Sequence, residues 1–386
     1  RTLLEDTDAD WVELDDHLHA CGASGFTWSS EKSGTNQLYL HDRKGESAGK
    51  NIGASADPLT AVVTIDESCS RGLVLRATNR GREQHLFEIE IGSGKERQIT
   101  REPGWHEVVA DEQGRWLFDL YSAIGRPIVG RLLDASGRAV QQIDSEVPAE
   151  FGSVRWPEAQ LVEVRAQDGT PLNGVLLPPM ESEPGRKYPV VVYAYGGPSA
   201  QVAANRWSRG WPLNAWLTQR GFGVFMLDNR GSSNRERAFT RAIHYRFGQV
   251  EYADQVSGAH FLRTIPWVDG DRIGIWGWSY GGYLSALSIL REGNPFRAAA
   301  AVAPVSDWRL YDTHYTERYM GLPQERSALY EKASLLPLAQ GLRKPLLVVH
   351  GMADDNVLFT NSTQLMSELQ KRGIQFDLMT YPGAKH

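Results

Sequence analysis

Residues 273–290 read Ile-Gly-Ile-Trp-Gly-Trp-Ser-Tyr-Gly-Gly-Tyr-Leu-Ser-Ala-Leu-Ser-Ile-Leu, and this stretch decides the fold. Ile273 and Ile275 alternate as in a buried strand, and Tyr283 to Leu290 read as a helix. Between them Gly277-Trp278-Ser279-Tyr280-Gly281 makes a tight turn, its serine flanked by glycines two positions away on each side. A serine hydroxyl is a poor nucleophile unless it is held clear of the helix and reached by a base. Glycines at those two positions leave room for a strained backbone that lifts Oγ above the sheet, the nucleophile elbow. An ordinary glycine-rich turn has the same look, so the partners decide.

Two later strands supply partners. Pro345 to Gly351 is apolar and runs into Ala353-Asp354-Asp355-Asn356-Val357, and Phe376 to Tyr381 ends in Pro382-Gly383-Ala384-Lys385-His386. An acid and a histidine thus each follow a predicted strand, at the edge where open α/β sheets carry their sites. The chain order Ser279, acid, His386 is the order of an α/β-hydrolase triad. Asp354 and Asp355 are adjacent, and on spacing alone either reaches the imidazole.

The expected fold class is therefore an α/β-hydrolase domain, a mostly parallel doubly wound sheet, over residues 151–386. Its other strands are Tyr188 to Tyr195, Gly223 to Asp228, Arg272 to Gly277 and Ala298 to Ala303, with helices over 250–264 and 361–372. Residues 1–150 read as short strands at 8–12-residue spacing, among them 25–30, 37–41, 61–65, 73–77, 85–90, 105–109, 116–121 and 127–133. A weak repeat of about 48 residues, from Gln37-Leu38-Tyr39 to His85-Leu86-Phe87, predicts two to three β-propeller blades, too few to close a ring. The chain starts at Arg1 with no signal peptide and stops on His386, so the expectation is a partial propeller and a hydrolase domain lacking its C-terminal helix. That leaves the compartment open, periplasmic or extracytoplasmic sites included.

Composition removes other classes. At 386 residues, with 41% hydrophobic and 23% charged, the chain is ordinary globular protein with room for two domains. A net charge of −6 offers no footprint for nucleic acid, and no apolar run is long enough to span a bilayer. The acidic run Glu5, Asp6, Asp8, Asp10, Glu13, Asp15 and Asp16 reads as a solvated face. Cys21 and Cys69 are the only cysteines; they imply no disulfide framework, and whether they bridge is open. The histidines make no ligand pattern, so neither metal nor cofactor is expected. Trp308, Tyr311 and Tyr315 recur at helical spacing, as a core-facing aromatic stripe would.

With the triad placed, residues 185–386 resemble the prolyl oligopeptidase family of serine peptidases, most closely its dipeptidyl peptidase IV branch. The resemblance rests on Trp276 to Tyr283, Val302 to Ser306, Tyr315 to Pro323 and His350 to Val357. In the family's His-Gly-x-x-Asp-Asp-Asn-Val pattern the first aspartate is the triad member, which implies Asp354; Asp355 is then a neighbour that reads as a loop carboxylate forming a turn, with binding to amides of its own loop as the alternative. The resemblance further implies an oxyanion hole of the Tyr280 N–H and the Tyr195 hydroxyl, and a P1 slot for proline or alanine. That slot is formed by Val305, Trp308, Tyr311, Tyr315, Val357 and Tyr280, with Asn356 binding the carbonyl ahead of proline. Arg318 reads as structurally ion-paired, and Asp228-Asn229-Arg230-Gly231 as organising the loop beside the nucleophile strand.

The activity implied is release of N-terminal dipeptides with penultimate proline or alanine, by a family whose members commonly form homodimers. One departure stands out: the glutamate pair that captures the substrate's amine is not found, Asp66-Glu67 and Asp15-Asp16 being the nearest. The expected place for it is upstream of Arg1. A prolyl endopeptidase or acylaminoacyl peptidase of the family shares every triad residue, and an inactive scaffold on the same fold would lack Ser279.

Overall fold

The computed structural model describes residues 2–14, 17–53, 55–143, 151, 152 and 154–386. The chain divides into two compact units. The first takes in residues 1–156 with 204–211 and 234–239, and the second 157–203, 212–233 and 240–386.

Among its described residues the first unit is built of antiparallel four-strand meanders of the propeller type. One runs through His19–Ala20, Phe26–Ser30, Gln37–His41 and Lys50–Asn51. The next runs through Leu59–Ile65, Arg71–Thr78, Glu83–Glu90 and Glu96–Gln98. The third, Trp105–Ala110, Trp116–Ala123, Arg126–Asp134 and Ala139–Ile143, joins the second through a single parallel bridge, Gln84 to Trp105. Strand 71–78 is buried on both faces because its alternate residues serve different cores. Val74 packs with Leu38, Ile52 and Ile89, while Leu73 and Leu75 pack with Leu86, Leu117 and Leu133. The question left open by Cys21 and Cys69 is answered: they form a disulfide inside the first of these cores.

The acidic run is not simply a solvated face. Asp8 and Asp10 both pair with Arg237, because a guanidinium presents enough donors for two carboxylates. Asp15 and Asp16 lie outside the described residues. Asp66 is used up locally, accepting from the Ser70 and Arg71 amides and the Ser68 hydroxyl, which closes its own turn.

The second unit is one eight-stranded sheet. Its strands are β1 (Gln160–Arg165), β2 (Pro171–Leu177), β3 (Tyr188–Tyr193), β4 (Gly223–Asp228), β5 (Val268–Trp278), β6 (Ala298–Val302), β7 (Leu346–Gly351) and β8 (Asp377–Tyr381). They lie in the order β1-β2-β4-β3-β5-β6-β7-β8. β1 and β2 run antiparallel, and β3 to β8 pair in parallel, as an α/β-hydrolase requires. Helices α1 (Val250–Arg263), α2 (Tyr280–Leu290), α3 (Thr313–Met320) and α4 (Thr360–Lys371) matter for the site. All eleven residues of α2 are buried, so it carries no polar stripe. Burying each of Leu284, Leu287, Ile289 and Leu290 contributes about 1.5–3 kcal/mol, which anchors the helix that starts at the elbow.

Candidate active site

Ser279 sits between β5 and α2 with φ 62° and ψ −119°, a left-handed conformation that strains any residue with a Cβ. A serine at a helix N-cap normally turns its oxygen back onto the helix amides; here the side chain makes no capping bond. The backbone is held instead by Ser279 N donating to Val302 O (2.9 Å) and Tyr283 N donating to Ser279 O (2.9 Å). The elbow glycines are needed for space. A Cβ on Gly277 would lie 2.2 Å from Ala194 O, one on Gly281 2.1 Å from the same oxygen, and one on Gly282 2.3 Å from Val302 O. Each obstacle is backbone, so no side chain can yield.

Across β6, the loop after β7 presents a buried carboxylate. Asp354 Oδ1 accepts the N–H groups of Asn356 and Val357, both at 2.9 Å, and Oδ2 accepts His386 Nδ1–H at 2.7 Å. This fixes the His386 tautomer and leaves Nε2 as the free nitrogen. The exposed Asp355 pairs instead with Lys385 Nζ at 2.7 Å, which holds its carboxyl below the usual range. The amides of Asn356 and Val357 go to Asp354. The His386 ring stands edge-on to Trp278, centroids 5.9 Å apart, beside the serine. Among the described residues no hydrogen bond joins Ser279 Oγ to His386, a bond that often tightens only when substrate binds.

Tyr195 lies two residues beyond β3, shorter by those two than the predicted strand, and its ring is 6.3 Å from that of Tyr280. Burial pushes its phenol up, with Tyr311 and Tyr193 adding to the effect, so it remains a hydroxyl donor. The Tyr280 N–H opens α2, where helix amides lack partners and favour negative charge.

Trp308, Tyr311 and Tyr315 do come together, but not along one helix. Trp308–Leu310 is a single 3₁₀ turn, Tyr311 is extended (φ −111°, ψ 167°), and α3 starts afresh after Asp312. Two aspartates cause the break, Asp307 accepting from Arg309 N and Asp312 from Tyr315 N, each starting its own turn. The rings of Tyr311 and Tyr315 are 5.8 and 6.3 Å from that of Trp308. Val305 and Val357 are fully buried. Tyr311 donates its hydroxyl to Asn356 Oδ1 at 2.9 Å, which points the exposed amide's Nδ2 outward as a donor. Arg318 has His314 Nε2 against it at 3.2 Å rather than Glu317, which precedes it and so faces elsewhere on α3.

Other buried residues brace the site. Asn229 donates to Gly196 O (2.9 Å) and accepts from Gln255 (3.1 Å), bracing the loop that follows Tyr195. Buried Glu251 accepts from the Tyr280 hydroxyl and from Gly248 N, and desolvation raises its carboxyl to about 7. His350, at the end of β7, touches Asp354 from behind. Glu251 is a lone polar residue with no periodicity to betray it, whereas Asn229 belongs to the Asp228-Asn229-Arg230-Gly231 turn and His350 to the family's His-Gly-x-x-Asp-Asp-Asn-Val pattern.

A strained serine opening a helix, with an aspartate–histidine pair two strands away, defines an α/β-hydrolase. Residues 211–386 match the model of the prolyl oligopeptidase family, and residues 1–128 that of the dipeptidyl peptidase IV N-terminal region. The chain belongs to the prolyl oligopeptidase family, in its dipeptidyl peptidase IV branch. Mouse dipeptidyl peptidase 8 is 40% identical over 59% of this chain and 26% of that protein. A probable dipeptidyl peptidase 4 of Neosartorya fischeri is 31% identical over 89% of this chain and 46% of its own length. The crystal structure of Porphyromonas gingivalis dipeptidyl peptidase 4 superposes with a TM-score of 0.92 at 30% identity, over 99% of this chain and 54% of that one. The chain thus spans about half the length, or less, of these relatives. Among the described residues no helix is long and apolar enough to cross a membrane.

Proposed function

We propose that this chain carries the catalytic centre of a serine exopeptidase that releases N-terminal dipeptides from peptides with proline or alanine in the penultimate position. The observation that carries the reading is the pairing of a strained, uncapped Ser279 with a tautomer-fixed His386 on Asp354. Ser279 Oγ attacks the scissile carbonyl as His386 Nε2 takes its proton, and Asp354 stabilises the imidazolium. The carbonyl oxygen, now negative, is met by the Tyr280 N–H and the Tyr195 hydroxyl. His386 then protonates the leaving amine, and water repeats the sequence on the acyl-enzyme.

The P1 residue rests against Trp308, Tyr311, Tyr315, Tyr280, Val305 and Val357. Proline suits such a slot, since it is compact and brings no N–H to leave unpaired. Asn356 Nδ2, freed by the bond from Tyr311, donates to the carbonyl ahead of it. A homodimer follows from the family likeness and is tested by light scattering.

The deciding experiment compares turnover of Ala-Pro and Gly-Pro amides with their N-acylated forms. Preference for the free amine supports dipeptide release. Preference for the blocked substrate assigns the chain to the endopeptidase or acylaminoacyl peptidase class, and no turnover of either favours an inactive scaffold.

A further inference from the structure

Asp354 stands between two imidazoles. Oδ2, which receives His386 Nδ1–H at 2.7 Å, also lies 3.2 Å from His350 Nε2. His350 is 1% exposed, and its other contacts fix where its proton sits. Nε2 is 2.8 Å from Val357 O, and a carbonyl only accepts, so Nε2 carries hydrogen. Nδ1, 2.7 Å from Ser362 Oγ on α4, is then the lone-pair nitrogen of a neutral ring and accepts the serine proton. One N–H is thus shared between Val357 O and Asp354 Oδ2. The Phe359 ring closes the pocket edge-on, centroids 5.4 Å away. The titratable groups facing His350 are Asp354 and His386, and burial, the largest influence, lowers its basicity and keeps it uncharged.

We infer that His350 is a positioning residue for the triad: a donor locked in one tautomer by the Val357 carbonyl, it holds Asp354 Oδ2 in line with His386 Nδ1. The inference rests on the function proposed above. An uncharged donor suits this task. A cation behind Asp354 would compete with the imidazolium for its charge, whereas a shared N–H restrains the oxygen and leaves the charge available. The same N–H bonds the Val357 backbone, which links the acid's placement to a residue of the proposed P1 slot.

The test uses the rate at which a fluorophosphonate labels Ser279 in the whole chain, a reaction that needs His386 but no peptide. His350→Leu is expected to slow labelling about 10–10²-fold, the penalty typical of a small misplacement of a catalytic group. His350→Gln, which returns a donor near Nε2, is expected to recover most of the rate. On an Asp354→Asn background, where no carboxylate remains to be held, His350→Leu is expected to slow labelling no further. Labelling at the wild-type rate in folded His350→Leu overturns the inference, as does an equal loss in both backgrounds, which marks a purely structural role. If His350→Leu does not fold, His350→Gln decides: labelling within a few-fold of the parent rate supports the inference, and a loss of about 10-fold or more in a folded chain overturns it. Absence of labelling at Ser279 in the unaltered chain would instead overturn the proposed function.

Discussion

Ser279 is available for chemistry because its backbone is in the wrong place to cap a helix. That placement depends on glycines pressed against backbone oxygens, so Gly281→Ala, with its Cβ 2.1 Å from Ala194 O, is expected to lose activity and at least about 1–3 kcal/mol of stability, read by thermal melting. Tyr195→Phe is expected to lower kcat about 10²–10³-fold with little change in KM, the mark of a donor used only in the transition state. Glu251 adds a pH signature. Its folded value near 7 lies above the usual 4.5, so its contribution to stability is intact below 4.5 and is lost as pH rises to 7. The loss is bounded by roughly 3 kcal/mol, and Glu251→Gln should remove it. Urea denaturation at pH 5 and pH 8 checks this; an equal difference between variant and parent at both values contradicts it. The strand ends that carry Ser279, the acid and His386 were legible in their chain order, while the choice of Asp354 over Asp355 came from the family pattern. Glu251 was not, and His350 was visible only as part of the family pattern, since the partners that give a buried polar residue its role are brought together only by folding.

At the scale of elements, the parallel strands declared themselves as apolar runs, and 223–228 was read to the residue. The antiparallel pair β1 and β2 escaped, because Gln160, Glu163, Asn173 and Gly174 interrupt the run that marks a strand buried on both faces. The aromatic face was legible in spacing and misread in form. Trp308, Tyr311 and Tyr315 converge through two separate helix starts, and the capping power of Asp307 and Asp312 overrode the helical period. Asp312→Ala is therefore expected to cost about 1 kcal/mol and to raise KM through a loosened Tyr315, with kcat nearly kept. A KM equal to that of the parent would separate the cap from the substrate slot.

At the scale of the molecule, two-unit organisation was visible as a change from short alternating strands to apolar strands with intervening helices. The return of 204–211 and 234–239 to the first unit was not, because short loop excursions carry no pattern of their own. The disulfide was also beyond the sequence, since two cysteines 48 residues apart do not reveal whether their strands pack in one core. Closing a loop of that length is worth roughly 4 kcal/mol in the chain-entropy description, so Cys21→Ser with Cys69→Ser is expected to lower the melting transition of the first unit. The catalysis proposed for the second unit joins one strained serine, one histidine and one carboxylate. Intact-mass analysis after fluorophosphonate treatment decides whether they act together: a single adduct is expected, mapped to Ser279 and absent from Ser279→Ala. An unmodified folded chain, or an adduct that persists in Ser279→Ala, would contradict it.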